Sequence, residues 1–147
     1  MEEALLKLKE EGITDVIFGD IFLEDLRKYR ETNLAKVGMN ARFPLWKLNT
    51  SELIRDFIRQ QFKTIICCTN ASQLGEEWLG REIDHEFLEQ LPPGVDPCGE
   101  NGEFHTYCYG GPLFTRQISI TPGSKVFKPL EPVSDPGHGF WFLELTP

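Results

Sequence analysis

The sequence lacks both a long apolar run and an excess of positive charge. None of its apolar stretches approaches the roughly 20 residues that a membrane-spanning helix needs, and its opening, MEEALLKLKEEG, is charged and amphipathic, without a signal-peptide core. Its 15 basic and 23 acidic residues give a formal charge of −8 at pH 7, which repels phosphate backbones and anionic lipids. We therefore expect a cytoplasmic protein that binds neither nucleic acid directly nor a membrane.

Cysteine is also scarce and is not spaced for metal binding. The four cysteines include no Cys-x-x-Cys pair, and Cys67 and Cys68 are adjacent, so they would point to opposite faces of a strand. We expect reduced structural thiols and no metal site built from them. The pair Cys98 and Cys108 stays open as a redox pair, although the setting favours thiols.

The first half of the chain alternates between strand and helix patterns. Strands are predicted near residues 13–20, 41–46 and 64–68, with helices over residues 23–36 and 53–61 between them. Such alternation predicts right-handed crossover units, and hence a doubly wound, parallel α/β sheet. The run Val16-Ile17-Phe18 reads as a strand covered on both faces. The residues before it cannot supply its neighbours, so we expect the sheet to be incomplete at its N-terminal side.

The second half has a different pattern, which predicts a smaller α+β domain. A polar helix is predicted over residues 76–91, interrupted at Gly80. Four antiparallel strands follow, with Pro122-Gly123-Ser124 as a hairpin tip. They are predicted over residues 104–109, 113–121, 125–128 and 139–145. The segment 134–147 matches nothing that we can assign beyond its closing strand.

The stretch DPCGENGEFHT, residues 96–106, concentrates side chains that carry chemistry. Gly99 and Gly102 permit positive φ angles, which let successive backbone amides point at one anion, and Glu100 and Glu103 lie in the same loop. This loop could bind a cationic or amine-bearing ligand or a metal–phosphate, or could orient a proton acceptor. The alternative is a surface turn with solvated acids. His105 is either a base or a structural histidine.

A second group of candidate residues follows the first predicted strand. Ligands of open α/β sheets bind beyond the carboxyl ends of the strands, which is where Gly19 and Asp20 fall. Asp20 could bind a ligand there, or could cap the next helix. Arg27 and Arg30 could bind an anion in the same crevice, or could be surface charge.

Four ordered motifs carry a family resemblance. GDIFLEDLRKYRE (residues 19–31), FPLW (43–46), LGEEWLGREID (74–84) and DPCGENGEFHT (96–106) resemble the diphthine–ammonia ligase family. Members of this family are ATP pyrophosphatases of the PP-loop, or N-type, superfamily. The similarity runs from about residue 13 to residue 114, and E-x-G-E-F-H-T is its most specific part. The resemblance implies a Rossmann-like (HUP-type) sheet.

The resemblance also implies an ATP-dependent amidation, with ATP and magnesium as cofactors. An acceptor carboxylate is adenylated with release of pyrophosphate, and ammonia then displaces AMP. In the family, the acceptor is the diphthine residue of elongation factor 2, although a small-molecule carboxylate is an open alternative. By resemblance, substrate or ammonia handling falls to Glu100, Glu103 and His105. Substrate or nucleotide binding falls to Gly19, Asp20, Arg27, Gly99, Gly102 and Thr106.

One departure from the family bears on the whole chain. The family's phosphate loop, S-G-G-K-D-S, is absent from this sequence. We therefore expect residues 1–74 to be the C-terminal half of a Rossmann-like domain, residues 75–147 to be a substrate-side domain, and the chain alone to be inactive. Smaller departures, Tyr29 for a usual Arg and Asn101 for a usual Gly, suggest a bacterial relative that acts on a different carboxylate.

Two readings of another class stay open. The chain could be a non-catalytic, acceptor-binding module that docks on a separate PP-loop subunit, or an unrelated α/β protein that binds a small molecule. The sequence leaves the assembly undetermined, with a homodimer as one option.

Overall fold

The structure is a computed structural model that describes residues 2–130 and 138–147. They group into two compact units, Met1–Asn49 and Thr50–Pro147. Part of the unassigned segment, residues 134–137, lies outside the described residues. No helix in the described part of the chain has the length and apolar character that crossing a membrane would require.

The first unit contains two helices and two short strands. In chain order they are α1 (Glu2–Glu10), β1 (Asp15–Ile17), α2 (Glu24–Lys36) and β2 (Asn40–Arg42). The strands pair in parallel, with Val16 opposite Ala41. A small core of Leu34, Val37 and Met39 forms where α2 turns into β2. The helix predicted over residues 23–36 and the two predicted strands are confirmed, except that β2 ends at Arg42 and a turn follows where the strand was predicted to continue to residue 46.

The second unit is built on an antiparallel sheet. Its elements are α3 (Thr50–Arg59), β3 (Lys63–Asn70), a 3-10 turn (Glu76–Trp78), α4 (His85–Gln90), β4 (Phe104–Gly110), β5 (Thr121–Pro129) and β6 (Gly139–Thr146). The strand order is β4-β3-β6-β5, and every neighbouring pair is antiparallel.

The core of the second unit anchors the start of β4. Ile66 of β3 and Phe87 of α4 are fully buried. The Phe87 ring makes edge contacts with Trp78 and Phe104, at centroid distances of 5.8 and 5.6 Å. Burial of such rings is a strong local constraint. Phe104 therefore fixes the position of the loop that precedes it, which carries most of the candidate site.

The prediction that the third strand joins a parallel sheet is wrong. β3 pairs antiparallel with both β4 and β6. The reason is that a strand buried on both faces is apolar throughout in either kind of sheet, so its composition does not report its direction. The chain has a mixed α/β fold, with a parallel two-stranded sheet and an antiparallel four-stranded sheet. A parallel sheet of two strands is too small to confirm the predicted Rossmann-like fold.

Three further predictions of local structure are corrected. Residues 79–83 are not helical but run beside β3, where the Ile66 amide donates to the Arg81 carbonyl at 2.9 Å. Residues 113–120 do not form a strand. Pro122, Gly123 and Ser124 lie within β5, at an irregularity in its pairing with β6, and do not form a hairpin tip.

The predicted division after residue 74 falls inside the second unit. That division assigns a nucleotide-side half and a substrate-side domain of a longer enzyme, and it stays a prediction.

Candidate functional site

The loop of residues 96–102 is held by hydrogen bonds to its own backbone amides. The Asp96 carboxylate accepts from the amides of Cys98 and Glu100, at 3.1 and 3.0 Å. Gly99 and Gly102 have φ angles of +69° and +83°, in the left-handed region that favours glycine. These contacts turn the chain tightly and place Glu100 at the turn.

The buried carboxylate of Glu103 holds the same loop together by hydrogen bonds to both of its sides. Its side chain is 1% exposed, and its carboxylate accepts from the Asp96 amide at 3.0 Å and from the Asn101 amide and side-chain Nδ2, each at 2.9 Å. Burial alone would raise the pKa of Glu103, but the donors from Asn101 and Asp96 outweigh it, and the pKa lies below its ordinary value. The interpretation of both glutamates as solvated acids is therefore wrong for Glu103.

The hydrogen bonds of the loop also show which anions its backbone amides bind. The sequence predicted that successive amides would point at one anion, and they point at the carboxylates of Asp96 and Glu103. Because those donors are already bonded, these amides do not fit a nucleotide phosphate. We therefore derive no step in which this loop holds ATP through them.

A concavity of about 350 Å³ opens beside the loop. Its lining consists of Cys98, Gly99, Glu100, Gly102, Phe104, His105 and Thr106. The Glu100 side chain is half-buried, whereas His105 and Thr106 of β4 are exposed. The lining thus includes residues that bear a carboxylate, an imidazole and a hydroxyl, groups that suit binding of a cation and transfer of a proton. His105 and Thr106 are consecutive in β4, so their side chains leave the strand on opposite faces.

Gly99 sets the shape of this concavity. A Cβ at this position would lie 2.9 Å from the Phe104 carbonyl oxygen and 3.2 Å from the Phe104 ring. Both the φ angle and this close approach require glycine.

Cys98 lines the concavity as a protonated thiol. Burial, together with the charges of Asp96 and Glu100, raises the pKa of the Cys98 thiol to about 12. Its sulfur donates to the Thr50 carbonyl at 3.4 Å. All four cysteines are free, so Cys98 and Cys108 are not joined by a disulfide.

Asp20, in the first unit, is bound by an arginine. Its buried carboxylate accepts from Arg30 Nε at 2.6 Å and from Nη2 at 3.1 Å. The interpretation of Asp20 as a helix cap is wrong, because the residue at the N-cap of α2 is Leu23. Gly19, immediately before Asp20, is exposed.

Arg27 and Arg30 lie against aromatic rings, a feature that the sequence reasoning missed. The Arg27 guanidinium lies 4.8 Å from the Phe43 ring centroid and 4.6 Å from that of Trp46. Arg30 lies 4.5 Å from the Phe18 centroid. The FPLW motif and the three-residue spacing of the arginines were the signals that could have indicated it.

The predicted site residues thus fall into two groups. Gly99, Glu100, Gly102, His105 and Thr106 line one concavity in the second unit, with Glu103 holding the loop behind them. The remaining residues, Gly19, Asp20 and Arg27, belong to the first unit. The role of each residue stays a prediction.

The side chains around the concavity do not by themselves form a magnesium site. Among the described residues, no group of three or more His, Cys, Asp or Glu side chains is placed to hold a metal ion. Asp96 and Glu103 accept hydrogen bonds from loop amides, and Glu100 is the carboxylate-bearing residue in the lining of the concavity. One carboxylate does not make a magnesium site without substrate phosphates.

Comparison with known proteins identifies close matches of one kind. The chain is 31% identical to the diphthine–ammonia ligase of Bos taurus, over 96% of this chain and 55% of the relative. It is 34% identical to that of Mus musculus, over 83% of this chain and 47% of the relative. For Homo sapiens the identity is 31%, over 79% of this chain and 46% of the relative. The chain therefore spans about half the length of these relatives.

A family model agrees with these matches and covers the candidate loop. The model described as the diphthamide synthase C-terminal domain matches residues 49–133, more than half of the chain. The match includes α3, β3, the whole of the loop that precedes β4, and the concavity beside it. The predicted resemblance is confirmed, and the chain belongs to the diphthamide synthase C-terminal domain family.

Proposed function

We propose that this chain forms the acceptor-side part of an ATP-dependent ligase that converts a carboxylate to an amide with ammonia. The observation that carries the proposal is the concavity at residues 98–106, which lies within the family match and has Glu100, His105 and Thr106 in its lining. The names of the relatives supply the reactants, diphthine and ammonia. The diphthine of elongation factor 2 is therefore the first acceptor to test.

The proposed roles follow from the position of each side chain. ATP supplies the activation of the carboxylate, with pyrophosphate and AMP as products. The Glu100 carboxylate attracts ammonium into the concavity, because it is the acid of the lining. As nitrogen bonds to the acceptor carbonyl carbon, the bond from that carbon to the AMP oxygen breaks. Ammonium passes one proton to the Glu100 carboxylate and so becomes the ammonia that attacks, and His105 accepts the second proton, which nitrogen loses after the new bond forms. The Thr106 hydroxyl orients the acceptor.

Glu103 acts in this proposal as a positioning residue. Its carboxylate is buried and bonded to the loop, so it sets the place of Glu100 without touching the acceptor. Asn101 contributes a side-chain donor to that carboxylate, which the glycine usual in the family could not supply. In the first unit, Arg27 would bind an anionic group of the substrates, held in place by Phe43 and Trp46.

The test is AMP release by the complete protein that carries this chain. The assay contains magnesium–ATP, ammonium and diphthine-bearing elongation factor 2. Because general base catalysis contributes about 10²- to 10⁴-fold, His105→Ala should lower kcat by about 10²-fold or more. His85→Ala is the matched control, since His85 is an exposed histidine at the start of α4, outside the concavity. Equal activity of both variants would remove His105 from the mechanism.

The same assay separates the alternatives. We expect the chain alone to release little AMP, because its sequence contains no phosphate loop. If AMP appears only when a separately encoded PP-loop subunit is added, the chain is an acceptor-binding module. If the wild-type protein turns over with an extract of its source but not with elongation factor 2, the acceptor is a different carboxylate, as Tyr29 and Asn101 suggest.

A further inference from the structure

One face of the antiparallel sheet carries a row of side chains that crosses all four strands. Cys68 of β3 is paired with His105 of β4 on one side and with Phe142 of β6 on the other, and Phe142 is paired with Val126 of β5. Directly paired residues of antiparallel strands project to the same face. We call the face that carries this row the outer face.

The opposite face of the sheet packs on the core. Thr69 is paired with Phe104 and with Trp141, and Phe104 and Leu143 are buried in the core. In an antiparallel sheet with one face on the core, the other face is ordinarily polar, because side chains alternate between the faces. The outer face departs from that rule.

The outer face is aromatic and aliphatic, and its large side chains are exposed on either side of the buried Cys68. Val126 is 47% exposed, Tyr107 40% and Phe142 36%. Tyr107 follows His105 by two positions and shares its face. The exposed surface ends at Tyr107, because its partner Ile65 is buried in the core. Phe140, two positions before Phe142, has its ring centroid 6.4 Å from that of Phe142. Adjacent exposed apolar side chains of this kind mark interaction surfaces more often than isolated ones do.

The outer face lacks the strong negative charge of the chain as a whole, because it carries one lysine, Lys128, and one glutamate, Glu144. Residues 104–130 contain no Asp or Glu, although the chain carries 23 acids and a net charge of −8. Lys128, paired with Phe140, is held with its Nζ 5.0 Å from the Phe142 ring centroid. The acid that β6 contributes to this face, Glu144, accepts a hydrogen bond from Ser124 at 2.9 Å. An acidic partner would therefore be repelled less by this face than by the protein as a whole, and least beside Lys128.

The outer face also continues into the candidate site. His105 belongs to the row across the sheet and to the lining of the concavity. A polypeptide lying across Phe142 and Val126 would therefore lead a side chain past His105 into the concavity. We propose that the outer face docks the segment of the protein acceptor that flanks the carboxylate to be amidated, and that this segment carries apolar and acidic side chains. This inference rests on the proposed function, because it takes the acceptor to be a protein.

The test measures the KM for diphthine-bearing elongation factor 2 with the complete enzyme. Lys128→Glu and Val126→Glu should each raise that KM about tenfold by placing a carboxylate under an acidic segment. The KM for ATP and the kcat at saturating acceptor should change less than about twofold. Both side chains are exposed, so folding should be retained. Lys125→Glu is the matched control for Lys128→Glu: it makes the same charge change on the same strand, but Lys125 lies on the opposite face. Because Lys125 Nζ donates to the Glu76 carbonyl at 2.8 Å, the melting temperature of each variant is measured as well.

The possible results separate the two proposals. A rise in KM for Lys128→Glu and Val126→Glu but not for Lys125→Glu supports docking on the outer face. An unchanged KM in both variants, or an equal rise in the control, overturns the docking proposal and leaves the proposed function standing. A wild-type enzyme that releases no AMP with the elongation factor overturns the assignment of the acceptor, and docking of that acceptor with it.

Discussion

At the residue scale, the carboxylate of Glu103 is an internal part of the loop. It is buried, and it accepts two backbone donors and one side-chain donor from residues 96 and 101. Hydrogen bonds to an ionised, buried acceptor contribute more than neutral ones, because the charge cannot be solvated by water instead. The ionised form of Glu103 therefore stabilises the loop that shapes the concavity.

Glu103→Gln should destabilise the loop in a pH-dependent way. At pH 7 we expect a loss of about 2 kcal/mol, because a Gln side chain brings an amide donor against the donors of Asn101. The folded-state pKa of Glu103 lies below the ordinary value of 4.5, so its stabilisation is fully present above that value and is lost as pH falls through the folded pKa. Hydrogen exchange of the Asp96 and Asn101 amides measures this directly.

The control for this prediction is Glu89→Gln, an exposed glutamate of α4. That variant should exchange like the wild type at Asp96 and Asn101. The Asp96 and Asn101 amides should be better protected from exchange in the wild type than in Glu103→Gln, and this difference should shrink as pH falls below 4.5. A constant difference down to pH 3 would mean that the charge of Glu103 is not what holds the loop.

At the scale of the loop, its two glycines provide a matched pair of variants. Both have positive φ angles, but a Cβ at Gly102 would meet no atom within 4 Å, whereas one at Gly99 would meet the Phe104 carbonyl oxygen at 2.9 Å. Gly102→Ala should therefore cost about 1 kcal/mol, from the left-handed backbone alone. Gly99→Ala should cost about 1–3 kcal/mol more, because the backbone of β4 must shift as well.

Denaturant unfolding followed by tryptophan fluorescence provides the measurement. The difference between the two alanine variants reports the close approach at Gly99, because the cost of the φ angle is common to both. Equal midpoints would show that the loop relaxes away from Phe104 without cost. In the complete enzyme, Gly99→Ala should also lower AMP release more than Gly102→Ala, since Gly99 sets the shape of the concavity.

At the scale of secondary structure, the sequence predicted the local elements better than their partners. The helical spacing around Ile54 in α3 depends on neighbours a few residues away, and such a pattern is visible in a sequence. The pairing of β3 depends on β6, about 70 residues further along the chain. Nothing in the apolar run of β3 indicates that a distant strand aligns antiparallel beside it.

The candidate site was predictable in composition but not in the role of each acid. The glycines of the loop predicted positive φ angles, and Gly99 and Gly102 have them in the structure. The sequence could not show that Glu103 points inward and Glu100 toward the concavity, because the two acids are three residues apart in an irregular loop with no periodicity. The sequence likewise identified Asp20 as a candidate, but not its ion pair with Arg30, which forms only when α2 folds back toward the end of β1.

At the scale of the whole molecule, the two units differ in the size of their cores. Among the described residues, the core of the first unit consists of Leu34, Val37 and Met39. That of the second unit contains eleven buried apolar residues, among them Ile66 and Phe87. Stability against local opening follows the apolar area that opening exposes. The two units should therefore open with different free energies.

Native-state hydrogen exchange tests this difference. Amides of α2 around Leu34 should exchange at least about tenfold faster than amides of β3 around Ile66, because opening the smaller core exposes less apolar surface. Low concentrations of denaturant should increase the rate of amide exchange in the first unit before they increase it in the second. Exchange of both segments in one concerted step would instead show that Met1–Asn49 and Thr50–Pro147 unfold as a single cooperative unit. That result would extend the stabilising role of the larger core to the segment that carries Asp20 and Arg27, and variants such as Gly99→Ala would then loosen the first unit as well.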